Sequence, residues 1–296
     1  MVNRLHPTQR VTDGEDEPEN EQSPPNLERI LNLAAKIGSP IAIGTALLFY
    51  FGWIRAESQA RALGYDVTLL GLTTSDYVLR SINVLFLPII ILLLLALAGQ
   101  MIHPRLVDVV QRHRTSRASR ILLLVLRTGW LWLPIVGIAA FASFPIVRPV
   151  ILPVTLTAGV LVAIYGDRIN RRVNDGPPLR TAVLTLVLLI LAVLAFWDVE
   201  RIAAYMGTQF AAYISATPER YAEVTLYSLK SLEFPAGVHE THIGTEESAY
   251  RYRYEGLHLL LRSDGKLFLM AYGAPGSRPA IIVLPESDLV RVEFTR

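Results

Sequence analysis

Five apolar blocks alternate with polar loops along the chain after Pro25. A helix needs about 20 residues to cross the roughly 30 Å hydrocarbon core of a bilayer, and each block approaches that length. The pattern therefore predicts an α-helical integral membrane bundle with five transmembrane helices, in a transmembrane domain of residues 29–197. The predicted spans are residues 37–54, 82–102, 121–144, 149–166 and 181–197.

The hydrophobic period changes after the fifth block. Residues 198–217 keep apolar positions at helical spacing, which predicts an amphipathic linker helix. Beyond it, short runs rich in β-branched and aromatic residues predict a small, mainly antiparallel β-domain over residues 218–296. Asp264 and Gly265 form a dipeptide typical of a tight hairpin turn. The predicted strands lie in EVTLYSLK, SAYRYRY, GLHLLLR, KLFLMAY, AIIVLP and LVRVEF.

The distribution of basic residues predicts how the chain is threaded. The segments on one side of the predicted membrane contain thirteen Lys and Arg residues in total, and those on the other side contain four. The positive-inside rule then predicts a cytoplasmic N-terminus and, after five crossings, an extracytoplasmic β-domain on a multi-pass plasma-membrane protein. Two arginine-rich loops on the inner side are candidate contacts for anionic lipid headgroups. These candidate contacts are Arg112, Arg114, Arg117, Arg120, Arg171 and Arg172.

Arg127 is the one charged residue inside a predicted span. It lies seven residues, or about 10 Å, beyond Arg120, so its side chain can snorkel back to the inner headgroups. The alternative is an intramembrane functional charge, which needs a counter-ion. None of the five blocks has an acidic residue in its interior. We therefore expect snorkelling and keep Arg127 as the candidate intramembrane functional charge.

Two polar segments flank the first predicted span. Residues 1–28 are acidic, rich in proline and poor in apolar residues, which predicts a disordered cytoplasmic tail and no cleavable secretion signal. The first outer loop has an apolar centre. We expect a helix over residues 56–63, then an irregular segment lying on the membrane or against the other outer parts, and a new helix near Ser75 with Asp76 in its first turn.

Composition supports the membrane interpretation and excludes several kinds of chemistry. Hydrophobic residues make up 52% of the chain and charged residues 18%, against about 25% charged in soluble domains. Cysteine is absent, and a net charge of +2 does not predict nucleic-acid binding. His239 and His242 in VHETH do not have the spacing of a zinc-protease motif. We expect no cofactor, no metal and no enzymatic activity.

SAYRYRYEG contains the candidate ligand or partner surface of the β-domain. On a strand, Tyr250, Tyr252 and Tyr254 share one face, while Arg251 and Arg253 share the other. Such residues can bind a glycan or an anionic polymer through aromatic and guanidinium groups. The interpretation we favour is a half-buried strand with long solvated arginines, and the ligand surface is kept as the candidate site.

Two runs resemble a known group of proteins. YFGWIRAESQARALGYDVTLLGLTTSDYVLRS and YEGLHLLLRSDGKLFL are similar to multi-pass membrane proteins of high-GC actinobacteria. The similarity extends over most of the chain after the acidic tail. It implies a plasma-membrane location and an outer side that faces the cell wall. It gives no information about an activity or about site residues.

Two functional hypotheses follow. The first is a non-enzymatic membrane scaffold or sensor that displays the β-domain for partner or envelope-ligand binding. The second is a subunit of an oligomeric channel or transporter in which Arg127 lines an anion path. The expected partners are the lipid bilayer and either a protein partner or further copies of the chain. An integral-membrane enzyme is a third hypothesis, for which no catalytic motif is found.

Overall fold

A computed structural model describes most of the chain. It covers residues 25–112, 116–145, 148–174, 176–177, 180–245, 247–273, 278–287 and 289–295, with only the backbone for 25–39 and 295. Residues 1–24, most of the predicted acidic tail, lie outside the described residues. The contacts discussed below all lie within residues 45–296, which form one compact unit.

The first part of the described chain is helical. Its helices are α1 (Pro25–Leu63), α2 (Thr74–Arg112), α3 (Arg117–Arg127), α4 (Gly129–Ser143), α5 (Arg148–Val173) and α6 (Thr181–Ala216). Short 3₁₀ helices occur at Val67–Leu70 and Pro218–Arg220. Residues 198–216 of the predicted linker 198–217 belong to α6, which continues without a break from the fifth apolar block because no proline interrupts it.

Among the described residues, three helices are long and apolar enough to cross a membrane: α2, α5 and α6. A fourth is added if α3 and α4 count as one span. The predicted five spans are therefore not confirmed, although α1 is helical throughout predicted span 37–54. In α2 the side chains of Leu92 to Leu95 are at least 60% exposed. An apolar belt of this kind is stable against lipid, not against water.

The third apolar block is not one straight helix. The axes of α3 and α4 differ by 69° at a break next to Thr128. The Thr128 hydroxyl donates to the Leu124 carbonyl at 2.8 Å, and the Trp132 indole N–H donates to the Val125 carbonyl at 3.0 Å. These side chains donate to carbonyls in the last turn of α3, next to the break, where side-chain hydrogen bonds accompany a bend inside an apolar segment.

The second part is an antiparallel sheet, as predicted, but GLHLLLR and the end of SAYRYRY form one strand, and HETH forms a strand that was not predicted. Its strands are β1 (Glu223–Ser228), β2 (His239–His242), β3 (Tyr252–Ser263), β4 (Lys266–Ala271), β5 (Ala280–Pro285) and β6 (Val290–Thr295). The order is β5-β4-β3-β1-β6, with β2 paired to the first part of β3. The predicted hairpin is confirmed, since Asp264 and Gly265 both have positive φ, 49° and 65°, between β3 and β4.

Both faces of the sheet are covered. Strand β4 alternates between them, with Leu267, Leu269 and Ala271 in one apolar cluster and Phe268 and Met270 in two others. The first cluster is completed by side chains of the connection at residues 229–238. The other two clusters are completed by helical residues. These are Ala56, Ala60 and Leu63 of α1, Val67 and Leu70 of the first 3₁₀ helix, Tyr77 of α2, and Ala211 and Ile214 of α6.

The loop between α1 and α2, which is the predicted first outer loop, is part of this contact between helices and sheet. The Ser263 hydroxyl donates to the Leu70 carbonyl, so the loop is hydrogen-bonded to the end of β3. The predicted helix start is confirmed, because α2 begins at Thr74 with Asp76 in its first turn. Hydrogen bonds from the Thr73 hydroxyl and backbone N–H lower the pKa of Asp76. The ionised Asp76 carboxylate therefore stabilises the folded state at neutral pH, and this stabilisation is lost as the pH falls through the lowered pKa.

Replacing Phe268 with alanine is expected to weaken the attachment of the sheet to the helices. The ring is fully buried, so its loss leaves a cavity that costs about 3–5 kcal/mol. The matched control is Phe294→Ala, because that ring is 57% exposed. Thermal unfolding in detergent should show a much lower midpoint for Phe268→Ala than for the control, and equal midpoints would contradict the docked sheet.

Candidate functional site

The two arginine-rich loops meet at the ends of three helices. Val107 and Val110 of α2 pack with Ile169 and Val173 of α5 in one buried cluster. Three leucines of α3 complete this cluster from the other side, and they are Leu122, Leu123 and Leu126. Apolar packing therefore brings the end of α2, the start of α3 and the end of α5 together, and with them the basic residues that flank these helices.

Arg127 lies where α3 ends, and it has an acidic neighbour. Its Nε atom is 3.8 Å from Oδ1 of Asp167 on α5, and its side chain is 54% exposed. The other carboxylate oxygen of Asp167 accepts a 2.6 Å hydrogen bond from Nε of Arg171. One carboxylate thus lies between two guanidinium groups. Asp167 directly follows Gly166, the last residue of the fourth predicted span. Sequence reasoning missed it because only the interiors of the spans were searched for acidic residues.

A cavity of about 670 Å³ opens beside Arg127. Arg120 and Arg127 give it cationic groups, and Asn170 and Asn174 give it amides. Apolar side chains, including Leu123, line the rest. Guanidinium and amide groups next to an apolar wall suit an anionic headgroup with its acyl chain.

Arg120 lines this cavity, and the other predicted lipid contacts that the structure describes lie at the ends of α2, α3 and α5. Arg112, Arg117, Arg120 and Arg172 are exposed, and within the described part of the chain none of them has a carboxylate within 4.0 Å. Arg171 is committed to Asp167. Arg114 lies outside the described residues. The exposed arginines therefore have guanidinium groups available to anions at this end of the helices.

A second acidic residue lies between two candidate spans. The Thr157 hydroxyl of α5 donates to Oδ2 of Asp198 on α6 at 2.5 Å. The other oxygen, Oδ1, is buried and has no hydrogen-bond partner among the described residues. Asp198 directly follows the fifth block at Trp197, so a count restricted to block interiors overlooks it. Counting acids within one residue of each block end would have found both Asp167 and Asp198.

The predicted tyrosine face is covered by the protein itself. Tyr254 is fully buried, and its hydroxyl accepts a 2.9 Å hydrogen bond from the Leu232 backbone N–H. The ring of Phe234 lies 4.8 Å from the Tyr254 ring, edge to face. Both neighbours belong to the connection at residues 229–238, which closes over this side of the sheet. Tyr254 is therefore a core residue and is not available to a ligand.

The rest of that predicted surface is half-buried. Tyr250, Arg251, Tyr252 and Arg253 all have intermediate exposure, and Arg253 forms an ion pair with Glu255. A ligand or partner surface at these four residues stays a prediction.

The two histidines of VHETH lie on β2 and are exposed. His242 contacts the Tyr252 ring edge to face, with 5.3 Å between ring centroids. Among the described residues, no group of three or more His, Asp or Glu side chains is arranged to hold a metal ion.

The chain matches no protein-family model, and no curated protein or solved structure has detectable similarity to it. Any functional conclusion therefore rests on the residues and their geometry.

The Thr157→Val substitution tests the contact with Asp198. It removes the donor to Oδ2 and leaves both carboxylate oxygens without a partner, so we expect a loss of about 1 kcal/mol in unfolding free energy. The control is Thr185→Val, because the Thr185 hydroxyl donates only to the Thr181 carbonyl of its own helix. Unfolding measured in detergent should separate the two variants. Equal effects would mean that the interhelical bond is not stabilising.

Proposed function

We propose that the chain is a non-enzymatic, multi-pass membrane scaffold or sensor that holds an extracytoplasmic β-domain against the outer ends of its helices. The observation that carries this proposal is the apolar packing between the sheet and α1, α2 and α6. A domain attached in this way keeps a fixed orientation to the membrane. A partner or envelope ligand that binds the sheet can therefore influence the positions of the helices.

The course of the helices supports five crossings. Helix α2 runs from the sheet to the arginine-rich end, and α6 returns. The bent pair of α3 and α4 runs antiparallel to α5, because Gly166 lies against Leu126 and Gly137 lies against Thr155. This arrangement favours a broken span over a re-entrant loop. Together with α1, it is consistent with a cytoplasmic N-terminus and an extracytoplasmic sheet.

The arginine-rich end supports the inner side of this topology. Exposed guanidinium groups at Arg112, Arg117, Arg120 and Arg172 are suited to the anionic lipids of a cytoplasmic leaflet, at about 1 kcal/mol per basic residue near the surface. We infer that these contacts anchor the inner ends of the helices in the plasma membrane while the sheet is held outside.

One observation favours the alternative of an anion channel or transporter subunit, because Arg127 lines the 670 Å³ cavity. The carboxylate of Asp167 supplies the counter-ion that a functional charge at Arg127 needs, but it also offsets the positive charge that would attract an anion. The scaffold is therefore the better-supported function.

The side of the β-domain can be measured directly. The chain has no cysteine, so a Ser287→Cys variant, exposed between β5 and β6, carries a unique thiol. We expect a membrane-impermeant maleimide to label it in intact cells. The matched control is Ala118→Cys, exposed at the start of α3, which should react only after lysis. The reverse pattern would contradict the proposed topology.

Anion flux distinguishes the two functions. Proteoliposomes that contain the full-length chain and are loaded with chloride should release it at the rate of empty vesicles. The Arg127→Gln variant should behave identically, since the scaffold has no anion path. A protein-dependent efflux that Arg127→Gln lowers would support the channel and overturn the scaffold.

A further inference from the structure

A pocket of about 380 Å³ lies where the helices meet the sheet, away from the arginine-rich end. Four structural elements contribute to it: α1, α2, α6 and β3. Its polar groups come from Arg55 and Gln59 of α1, Arg80 of α2, and Tyr221. The sequence analysis assigned no role to any of these residues.

The Arg55 side chain is held in place and has a buried donor without a partner among the described residues. Its Nη1 atom donates to the Arg80 carbonyl at 3.0 Å, and its Cζ atom lies 5.9 Å from the centroid of the Phe210 ring. Its Nε atom is buried and has no hydrogen-bond partner among the described residues. A fixed guanidinium with a buried free N–H loses little conformational entropy when an acceptor arrives.

The pocket contains two positive charges without a counter-ion. Across the described ranges, neither Arg55 nor Arg80 has a carboxylate within 4.0 Å. Burial, and then the charge of Arg80, lower the pKa of Arg55. Glu57 pairs with Arg61, and Asp76 accepts hydrogen bonds from Thr73 while the charge of Arg80 lowers its pKa from beyond 4.0 Å. Two partly buried like charges are stabilised by an anion between them.

We propose that Arg55 and Arg80 bind a phosphate group in this pocket. Guanidinium groups recognise phosphate oxygens through paired N–H donors, and the Gln59 amide and the Tyr221 hydroxyl can add further donors. Arg55 directly follows predicted span 37–54, and Arg80 precedes predicted span 82–102 by two residues. This is the depth of lipid headgroups. The phosphate therefore comes either from a phospholipid headgroup or from a free phosphate ion.

A bound phosphate would add ionic contacts between helices that already meet through apolar packing and through the hydrogen bond from Arg55 to the Arg80 carbonyl. It would connect α1 and α2 through the two guanidinium groups, directly beneath Leu260 and Leu261 of β3. The inference goes beyond the proposed scaffold function, because it adds a ligand that stabilises the attachment of the sheet. It also holds whichever side of the membrane carries the sheet, so its test is independent of the proposed topology.

The test uses the purified full-length chain in a nonionic detergent. Inorganic phosphate and, separately, short-chain phosphatidylglycerol are titrated at constant ionic strength, and the shift in the thermal unfolding midpoint gives a Kd for each. The key variant is Arg80→Gln, because it leaves the backbone carbonyl that accepts from Arg55 in place. Arg55→Gln is a second variant. The control is Arg61→Gln, an exposed arginine on the same helix.

We expect the wild-type chain to be stabilised and both pocket variants to bind at least about tenfold more weakly, since hydrogen bonds to charged groups are worth about that factor or more. Arg61→Gln should bind like the wild type. Stabilisation by the lipid alone would assign a headgroup phosphate, and stabilisation by both probes would assign the phosphate group itself. No stabilisation by either probe, an unchanged Kd in Arg80→Gln, or an equal loss in Arg61→Gln would overturn the proposal.

Discussion

Burial of the second face of the sheet is the interaction on which the packing of the sheet and the helices depends. One face is closed by the connection at residues 229–238, but the other carries Phe268 and Met270, both fully buried. The cover for that face comes from helix ends far away in sequence, including Ala56 and Ile214. Exposing such a face to water would cost several kcal/mol. The β-domain therefore folds as part of the helical assembly.

The same constraint explains the helix ends and the loop between α1 and α2. Gly207 of α6 lies against the Arg55 carbonyl, and Gly52 of α1 lies against the Tyr77 carbonyl. A Cβ atom at either glycine would overlap the backbone of the neighbouring helix. The two glycines therefore allow α1 to approach α2 and α6 closely at the helix ends that contact the sheet. Val67 and Leu70 make this loop apolar. Both side chains are buried against the sheet and are shielded from water.

Local signals account for the parts of the fold that were predicted correctly. Asp264-Gly265 adopts the hairpin that its backbone freedom favours, and the Thr73–Asp76 pair starts α2 through hydrogen bonds within four residues. Long-range features could not be predicted in this way. Asp167 and Asp198 lie one residue outside apolar blocks, and only the packing of α5 against α3 and α6 brings them to Arg127 and Thr157.

Hydropathy and strand periodicity suffice for the two-part architecture, the apolar helices, the antiparallel sheet and the concentration of arginines at one set of helix ends. Periodicity reports which residues share a face, but it does not report what covers that face. The alternation in SAYRYRYEG is therefore compatible with a ligand surface or a half-buried strand, and only the structure shows that Tyr254 is buried. Arg55 and Arg80 are 25 residues apart in the chain, and only the packing of α1 against α2 places their charges in one pocket.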